Sequence, residues 1–436
     1  MRLLHAKELY LKEFFDAEIP PYAILSHTWG DEEISYQDFL AIRKLQDERY
    51  AAYHELIRLD LTRSTESSGY TKIEACCRLA ASKGHEWVWI DTCCIDKTSS
   101  AELQEAINSM YKWYEQAEVC YAYLSDVQAG LPQDKSLEDD SLEYWLLRDS
   151  SLKDELLSEF RVSRWFTRGW TLQELIAPSV IEFIDSSWRR FGSKKSLATE
   201  ISAITIIPAK LLESVLFPWQ FCVATRMSWA ANRRTTRIED IAYCLLGLFA
   251  IQMPLIYGEG HNAFRRLQEE IVRTDDDETI FAHNGHAPFQ VGLLAPSPSS
   301  FTIRKVQFDN RFENAPPRSH TITNRGLRME VHVLEIENTV LANKRWQLAL
   351  RRRELHDSPH CLLPLRCAST RTSPSRQIAL VASRSSQGNQ VWSVLACVDL
   401  SAADLTSIIR PTNFKTSSKT IYVELQPLLF EAHQEA

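Results

Sequence analysis

Several residues able to do chemistry stand where apolar runs of this chain give out. Ser26, His27 and Trp29 follow Tyr22-Ala-Ile-Leu25, and Asp91 follows Trp87-Val-Trp-Ile90. If both runs are parallel strands, these side chains gather at the carboxyl ends of a sheet, where open α/β folds bind ligands. His27 has the chemistry of a phosphate ligand or a base, although a histidine at a strand end is more often a hydrogen-bonded structural residue. Asp91 is read equally as a ligand-facing carboxylate and as a cap on its own downstream loop. Cys93 or Cys94 with His27 would make a thiol hydrolase pair, but no nucleophile signature surrounds them. Arg168-Gly169 either positions a phosphate or makes a turn. Glu174 belongs to another element and reaches the same edge only if that element folds over it; otherwise it is a solvated helix-surface carboxylate or a partner of Arg168. Trp29, Trp87, Trp89, Trp165 and Trp170 are core residues by type, with Trp29 placed on a loop where it could also stack on a base.

The elements that must position these residues follow from local pattern. Tyr22–Ser26, Glu86–Asp91, Val119–Leu124 and Val180–Ile184 read as buried strands. Between them, Ile73, Cys76, Cys77 and Ala80 recur at helical spacing up to Gly84, and Ser99 with Glu102 forms a capping box for a helix lined by Ala106, Ile107, Met110 and Tyr114. Thr171–Ile176 is a short helical stretch stopped before Pro178. Strands alternating with helices predict a parallel sheet flanked by helices. The acidic stretch Pro132–Glu143 reads as a surface loop. A second capping box, Thr236 to Glu239, opens a predicted helix carrying Ile241, Leu245, Leu246 and Phe249, with another helix near Ala263–Val272. Beyond the acidic run Asp275–Glu278, period-two alternation at Leu327, Met329, Val331 and Val333, at Trp346, Leu348 and Leu350, and at Ile421, Val423 and Leu425 predicts a β-rich part. The expected division is an α/β domain over 1–190, a helical extension over 191–275 and a β-rich domain over 276–436.

At 436 residues the chain exceeds one ordinary core. Its 57 acidic and 49 basic residues leave a net charge of -8, which argues against a general nucleic-acid role because no broad positive field exists. Charged residues interrupt Met1–Glu13, so no secretory h-region is seen, and the longest apolar run, Ala242–Ile251, is about half a membrane span. A cytoplasmic protein without a membrane span is expected. Ten Cys occur without a C-x-x-C spacing, so reduced, buried thiols are expected and no metal site.

Three segments, Leu25-Ser-His-Thr-Trp-Gly30, Trp89-Ile-Asp-Thr-Cys-Cys-Ile-Asp96 and Arg164-Trp-Phe-Thr-Arg-Gly-Trp-Thr-Leu-Gln-Glu-Leu175, resemble in order and register the fungal heterokaryon incompatibility (HET) domain family. The resemblance extends through Ala101–Asp126 and covers Tyr22–Trp188. Met227–Val272, with Ile256-Tyr-Gly-Glu-Gly260, is similar to the helical extension that often follows such domains. A role in self/non-self recognition and regulated cell death in a filamentous fungus is implied. A weaker resemblance is to Toll and interleukin receptor (TIR) domains, through Ser26 with Gly30-Asp31, then Asp91, then Trp170-Thr-Leu-Gln-Glu-Leu175. It implies a TIR-like, flavodoxin-like fold and puts Glu174 at the position of the essential glutamate of NAD-cleaving TIR domains. Ser26, His27, Trp29, Gly30 and Asp91 would form the nucleotide-binding set, with NAD as substrate and no cofactor required. Trp29, His27, the double Cys93-Cys94 and the long Asp126–Arg164 insertion depart from the TIR pattern.

The chemistry suits a lone carboxylate. Breaking the nicotinamide–ribose bond of NAD expels a neutral leaving group, so no acid is needed, and one carboxylate can stabilise the positive charge growing on the sugar. The rival reading is a non-catalytic module that signals by self-association or by binding an upstream receptor or incompatibility partner.

Overall fold

A computed structural model describes residues 1–46, 67–128, 150–283, 292–301, 306–308, 318–336, 360–369, 376–384, 391–400 and 417–423. The predicted loop Pro132–Glu143 and the alternating Trp346, Leu348 and Leu350 lie outside them. The chain divides into two compact units, the first made of Met1–Phe217, Arg233–Thr235 and Cys244–Leu255, the second of Pro218–Asn232, Thr236–Tyr243 and Ile256–Ala436.

The first unit is built on a seven-stranded sheet. Its strands are β1 (Arg2–His5), β2 (Leu11–Glu13), β3 (Ala23–His27), β4 (Trp87–Trp89), β5 (Val119–Tyr123), β6 (Ile181–Ile184) and β7 (Arg190–Ser193), in the spatial order β2-β1-β4-β3-β5-β6-β7. The four strands expected from sequence, β3 to β6, are mutually parallel, with Ala23 opposite Val88 and Val119, and Cys120 opposite Ile181. Among themselves they run second, first, third, fourth. This is the doubly wound order, whose switch point lies between the first and third parallel strands. β1, β2 and β7 join the edges antiparallel and were not expected.

The parallel strands read as unbroken apolar runs because both faces are covered. Every residue of β3 is buried, and Ile24, Leu25, Val88, Trp89, Cys120, Tyr121 and Phe183 are fully enclosed. Each large side chain so buried contributes roughly 1.5–3 kcal/mol. The helices of this unit include α1 (Tyr36–Gln46), α2 (Ser68–Ser82), α3 (Asp91–Cys94), α4 (Ser100–Gln116), α5 (Ser150–Val162) and α6 (Thr171–Ile176). Helix α2 buries Ile73, Cys76, Cys77 and Ala80, and α4 buries Ala106, Ile107, Met110 and Tyr114, the faces that periodicity picks out. Ser99 caps α4 by accepting from the Glu102 amide, but the Glu102 carboxylate does not close the expected box; it accepts from the Asp96 amide at 2.8 Å and pairs with Arg2 at 2.7 Å. Gly69 in α2 is required by close approach, since a Cβ there would lie 2.1 Å from the Glu32 carbonyl oxygen.

In the second unit the helix expected from Thr236 is confined to Asp240–Tyr243. The Glu239 carboxylate is taken by the amides of Gly258 and Gly260, at 2.8 and 3.0 Å, rather than by the helix start. Asn262–Thr274 is helical as expected. The C-terminal strands are β8 (Val306–Phe308), β9 (Thr321–Thr323), β10 (Gly326–Ile336), β11 (His360–Ser369), β12 (Arg376–Arg384), β13 (Val391–Leu400) and β14 (Ser417–Val423). They order as β8-β11-β12-β13-β14-β10-β9, and an added β10–β11 pairing closes β10 to β14 into a ring. Pairing is antiparallel except between β13 and β14, which are parallel. Leu327, Met329 and Val331 of β10 and Ile421 and Val423 of β14 point inward, as their alternation requires.

Among the described residues no helix is long and apolar enough to cross a membrane, and no group of three His, Cys, Asp or Glu is placed to hold a metal ion.

Candidate functional site

Strand β3 delivers two polar side chains in succession. Because neighbours on a strand point to opposite faces, Ser26 and His27 serve different partners. Ser26 Oγ donates to Glu174 Oε2 at 2.5 Å and accepts from the Trp165 indole N–H at 2.8 Å. His27 Nε2 lies 2.9 Å from Asp91 Oδ1, and the other Asp91 oxygen accepts from the Trp29 indole N–H at 2.9 Å. The structure thus joins Ser26 to Glu174 and His27 to Trp29 through Asp91.

Glu174 is not on the surface. Only 6% of it is exposed, and it makes no ion pair with Arg168. Helix α6, all of whose residues are buried, is tied down at both ends. At its start Thr171 Oγ1 donates to the Trp165 carbonyl and accepts from Arg233 Nη1 at 2.9 Å; a second bond from Arg233 Nη1 reaches the Arg168 carbonyl at 2.9 Å. At its end the buried Lys194 ammonium donates to the carbonyls of Leu175 and Pro178, capping orphan acceptors. The segment carrying Arg233 lies against Gly169, whose amide donates to the Arg234 carbonyl at 2.8 Å. A Cβ on Gly169 would stand 2.5 Å from Thr235 Cγ2, so close approach rather than phosphate binding accounts for this glycine.

Burial sets the electrostatics. Desolvation pushes the Glu174 carboxyl up to about 8, with the Asp91 charge adding to the rise and the Ser26 hydrogen bond, Arg168 and Arg233 opposing it. Burial would raise Asp91 too, but the hydrogen bond from His27 and the charges of His27, Lys97 and Arg168 together hold it well below the ordinary carboxylate range. Burial and the Lys72 charge lower His27, while the hydrogen bond with Asp91 and the Asp91 and Glu33 charges oppose the fall. Two carboxyls of one site are therefore pushed apart, Asp91 ionised and Glu174 largely protonated at neutral pH, the separation that assigns distinct roles in acid–base sites.

Gly30 does not offer its amide to a ligand; it donates to Glu33 Oε1 at 2.7 Å, and Glu33 pairs with Lys72 and stands 3.8 Å from His27 Nδ1. Trp29 is 41% exposed, with Lys97 Nζ 3.7 Å and Arg168 Cζ 5.2 Å from its ring centroid. Cys93 and Cys94 are buried, and a hydrogen bond from the Cys93 thiol to Cys94 together with desolvation drives the Cys93 thiol far up, so no thiolate is on hand to pair with His27. Cys76, Cys77, Cys93, Cys94 and Cys120 carry free, buried thiols. Sequence reasoning missed Trp165 as a donor, although it lies within a quoted motif, and missed Lys97, Lys194 and Arg233. Arg233 belongs to the doublet Arg233-Arg234 and Lys194 to the doublet Lys194-Lys195, patterns that look like solvated surface.

Residues 22–174 match the family model described as heterokaryon incompatibility protein (HET). The match ends on Glu174 itself. Among curated proteins, the vegetative incompatibility protein HET-E-1 of Podospora anserina is 43% identical over 267 residues, covering 61% of this chain and 17% of that protein. The chain thus spans about a sixth of the length of that relative. No solved structure matches the chain.

Proposed function

We propose that this fungal HET-domain protein acts in heterokaryon incompatibility as an effector of regulated cell death, and that it does so by hydrolysing NAD at the nicotinamide–ribose bond. The observation that carries the reading is the buried hydrogen bond between Glu174 and Ser26 at the carboxyl end of β3. A carboxyl set there, beside the switch point of a doubly wound sheet, is where a ribose can be held. The resemblance to TIR domains supports the same assignment.

The reaction takes NAD and water to ADP-ribose, nicotinamide and a proton. Ionised Glu174 would stabilise the positive charge that develops on the sugar as the bond breaks. Its raised pKa suits that role. A pyridinium brought beside it favours the ionised form, so the charge appears when substrate is present and the empty site holds a neutral, less costly group. His27 and Asp91 fix Trp29 at the same edge. NAD is a substrate in this scheme and no cofactor takes part.

A second reading, a non-catalytic module that self-associates or engages an upstream receptor, is favoured by one observation. Glu174 is enclosed, its Oε2 is satisfied by Ser26, and a group so placed can be purely structural. Incubating the purified full chain with NAD and separating the products decides between them: nicotinamide and ADP-ribose should appear with wild type and be lost with Glu174→Gln. Cell killing by wild type without NAD loss would replace the enzyme by the module.

A further inference from the structure

We infer that Lys97 and Arg168, gathered on the exposed ring of Trp29, form a subsite for the phosphate groups of a nucleotide. The phosphate chemistry stands on the geometry alone; naming the ligand a nucleotide rests on the proposed function.

Trp29 is held in place by its indole N–H on Asp91 and presents a ring that is 41% exposed. Lys97 Nζ sits 3.7 Å from the ring centroid and Arg168 Cζ 5.2 Å. A ring quadrupole attracts a cation without neutralising it, so both groups keep their capacity for an anion. Among the described residues neither has a carboxylate at ion-pair distance, and Arg168 Nε is buried without a hydrogen-bond partner. The two cations also repel one another across a shared ring.

The surrounding charges do not balance them. Glu33 is taken by Lys72, and both Asp91 oxygens are used by His27 and Trp29. Lys97 and Arg168 thus face one ionised carboxylate, Asp91, a surplus that a phosphate would relieve with charge-assisted hydrogen bonds from a guanidinium fork and an ammonium. The apolar area of Trp29 beside them suits a ligand that also carries a flat base.

Isothermal titration of the full chain with ADP, pyrophosphate and adenosine tests this. ADP should bind more tightly than pyrophosphate, adenosine should not bind measurably, and added salt should weaken ADP binding. Lys97→Gln and Arg168→Gln should each lower ADP affinity by about tenfold or more, and Lys97→Arg should restore most of it, which separates charge from folding. No ADP binding by wild type, or unchanged affinity in both Gln variants, overturns the subsite; equal affinity for pyrophosphate and ADP overturns the nucleotide as its ligand. NAD loss undiminished in both Gln variants would sink this inference and leave cleavage standing. Charge-dependent ADP binding without NAD loss would do the reverse.

Discussion

Ser26 and Glu174 stand 148 positions apart in the chain and share a 2.5 Å hydrogen bond inside the first unit. Each satisfies the other, because the carboxyl is largely buried and Trp165 occupies the remaining side of the hydroxyl. The pair therefore couples the end of β3 to helix α6.

That coupling makes stability depend on pH. Glu174 has its pKa raised in the folded state to about 8, from an ordinary value of 4.5. Its contribution is therefore fully present below the ordinary value and is lost as pH rises through the folded one. Each pH unit across that window costs about 1.4 kcal/mol. Thermal melts at pH 5 and pH 8 should show Glu174→Gln gaining on wild type at the higher pH. Parallel changes in both proteins would count against a buried, titrating Glu174.

Ser26→Ala removes the hydrogen bond that opposes the rise of the Glu174 pKa. If ionised Glu174 drives NAD cleavage, activity should climb with pH, and the midpoint of that climb should move upward in the Ala variant. A midpoint that stays in place, at reduced activity, would show that Ser26 does not tune the carboxyl.

Asp91→Asn should loosen the opposite arm of the site. Asp91 holds its ionised form with a depressed pKa, so it stabilises the fold above the ordinary carboxylate value and the contribution is lost as pH falls below it. Replacing it should cost about 1.5–3 kcal/mol near neutral pH, typical of hydrogen bonds to a charged group, and much less in strong acid. Because Trp29 loses its anchor, the fluorescence difference between Trp29 and Trp29→Phe backgrounds should change as well.

Gly169→Ala should destabilise by about 1–3 kcal/mol through overpacking, since the added carbon meets Thr235 Cγ2. Urea unfolding measures it. The variant should also lose NAD cleavage out of proportion to its stability, because the displaced segment carries Arg233, which pins the start of α6. Unchanged stability would place the Thr235 contact elsewhere in solution.

What was legible in the sequence follows from how each feature is encoded. Strands β3 to β6 are buried on both faces, so their residues had to be apolar in unbroken runs, and the polar residues ending them marked the site. Ser26, His27 and Asp91 were visible for that reason. β1 and β7, Arg2-Leu-Leu-His and Arg190-Phe-Gly-Ser, are too short and mixed to show a period. Partner choice was illegible wherever one residue type suits several roles: Glu102 and Glu239 stand at capping-box spacing but bond distant backbone amides, and Trp165 reads as core while also donating to Ser26. Glu174 could be nominated only through resemblance. Its burial comes from Arg233, Trp165 and Lys194, which reach α6 through tertiary structure that no local spacing records.

The antiparallel strands at the rims of the first sheet carry a consequence for assembly. β2 has three residues and β7 four. Rims so brief offer an incoming chain little backbone to pair with, and they shield the longer parallel strands from being extended across molecules. If copies of this domain gather, they must do so through helix faces or loops, in an order that sheet growth does not dictate, and such clusters should lack the cross-β signature of stacked strands.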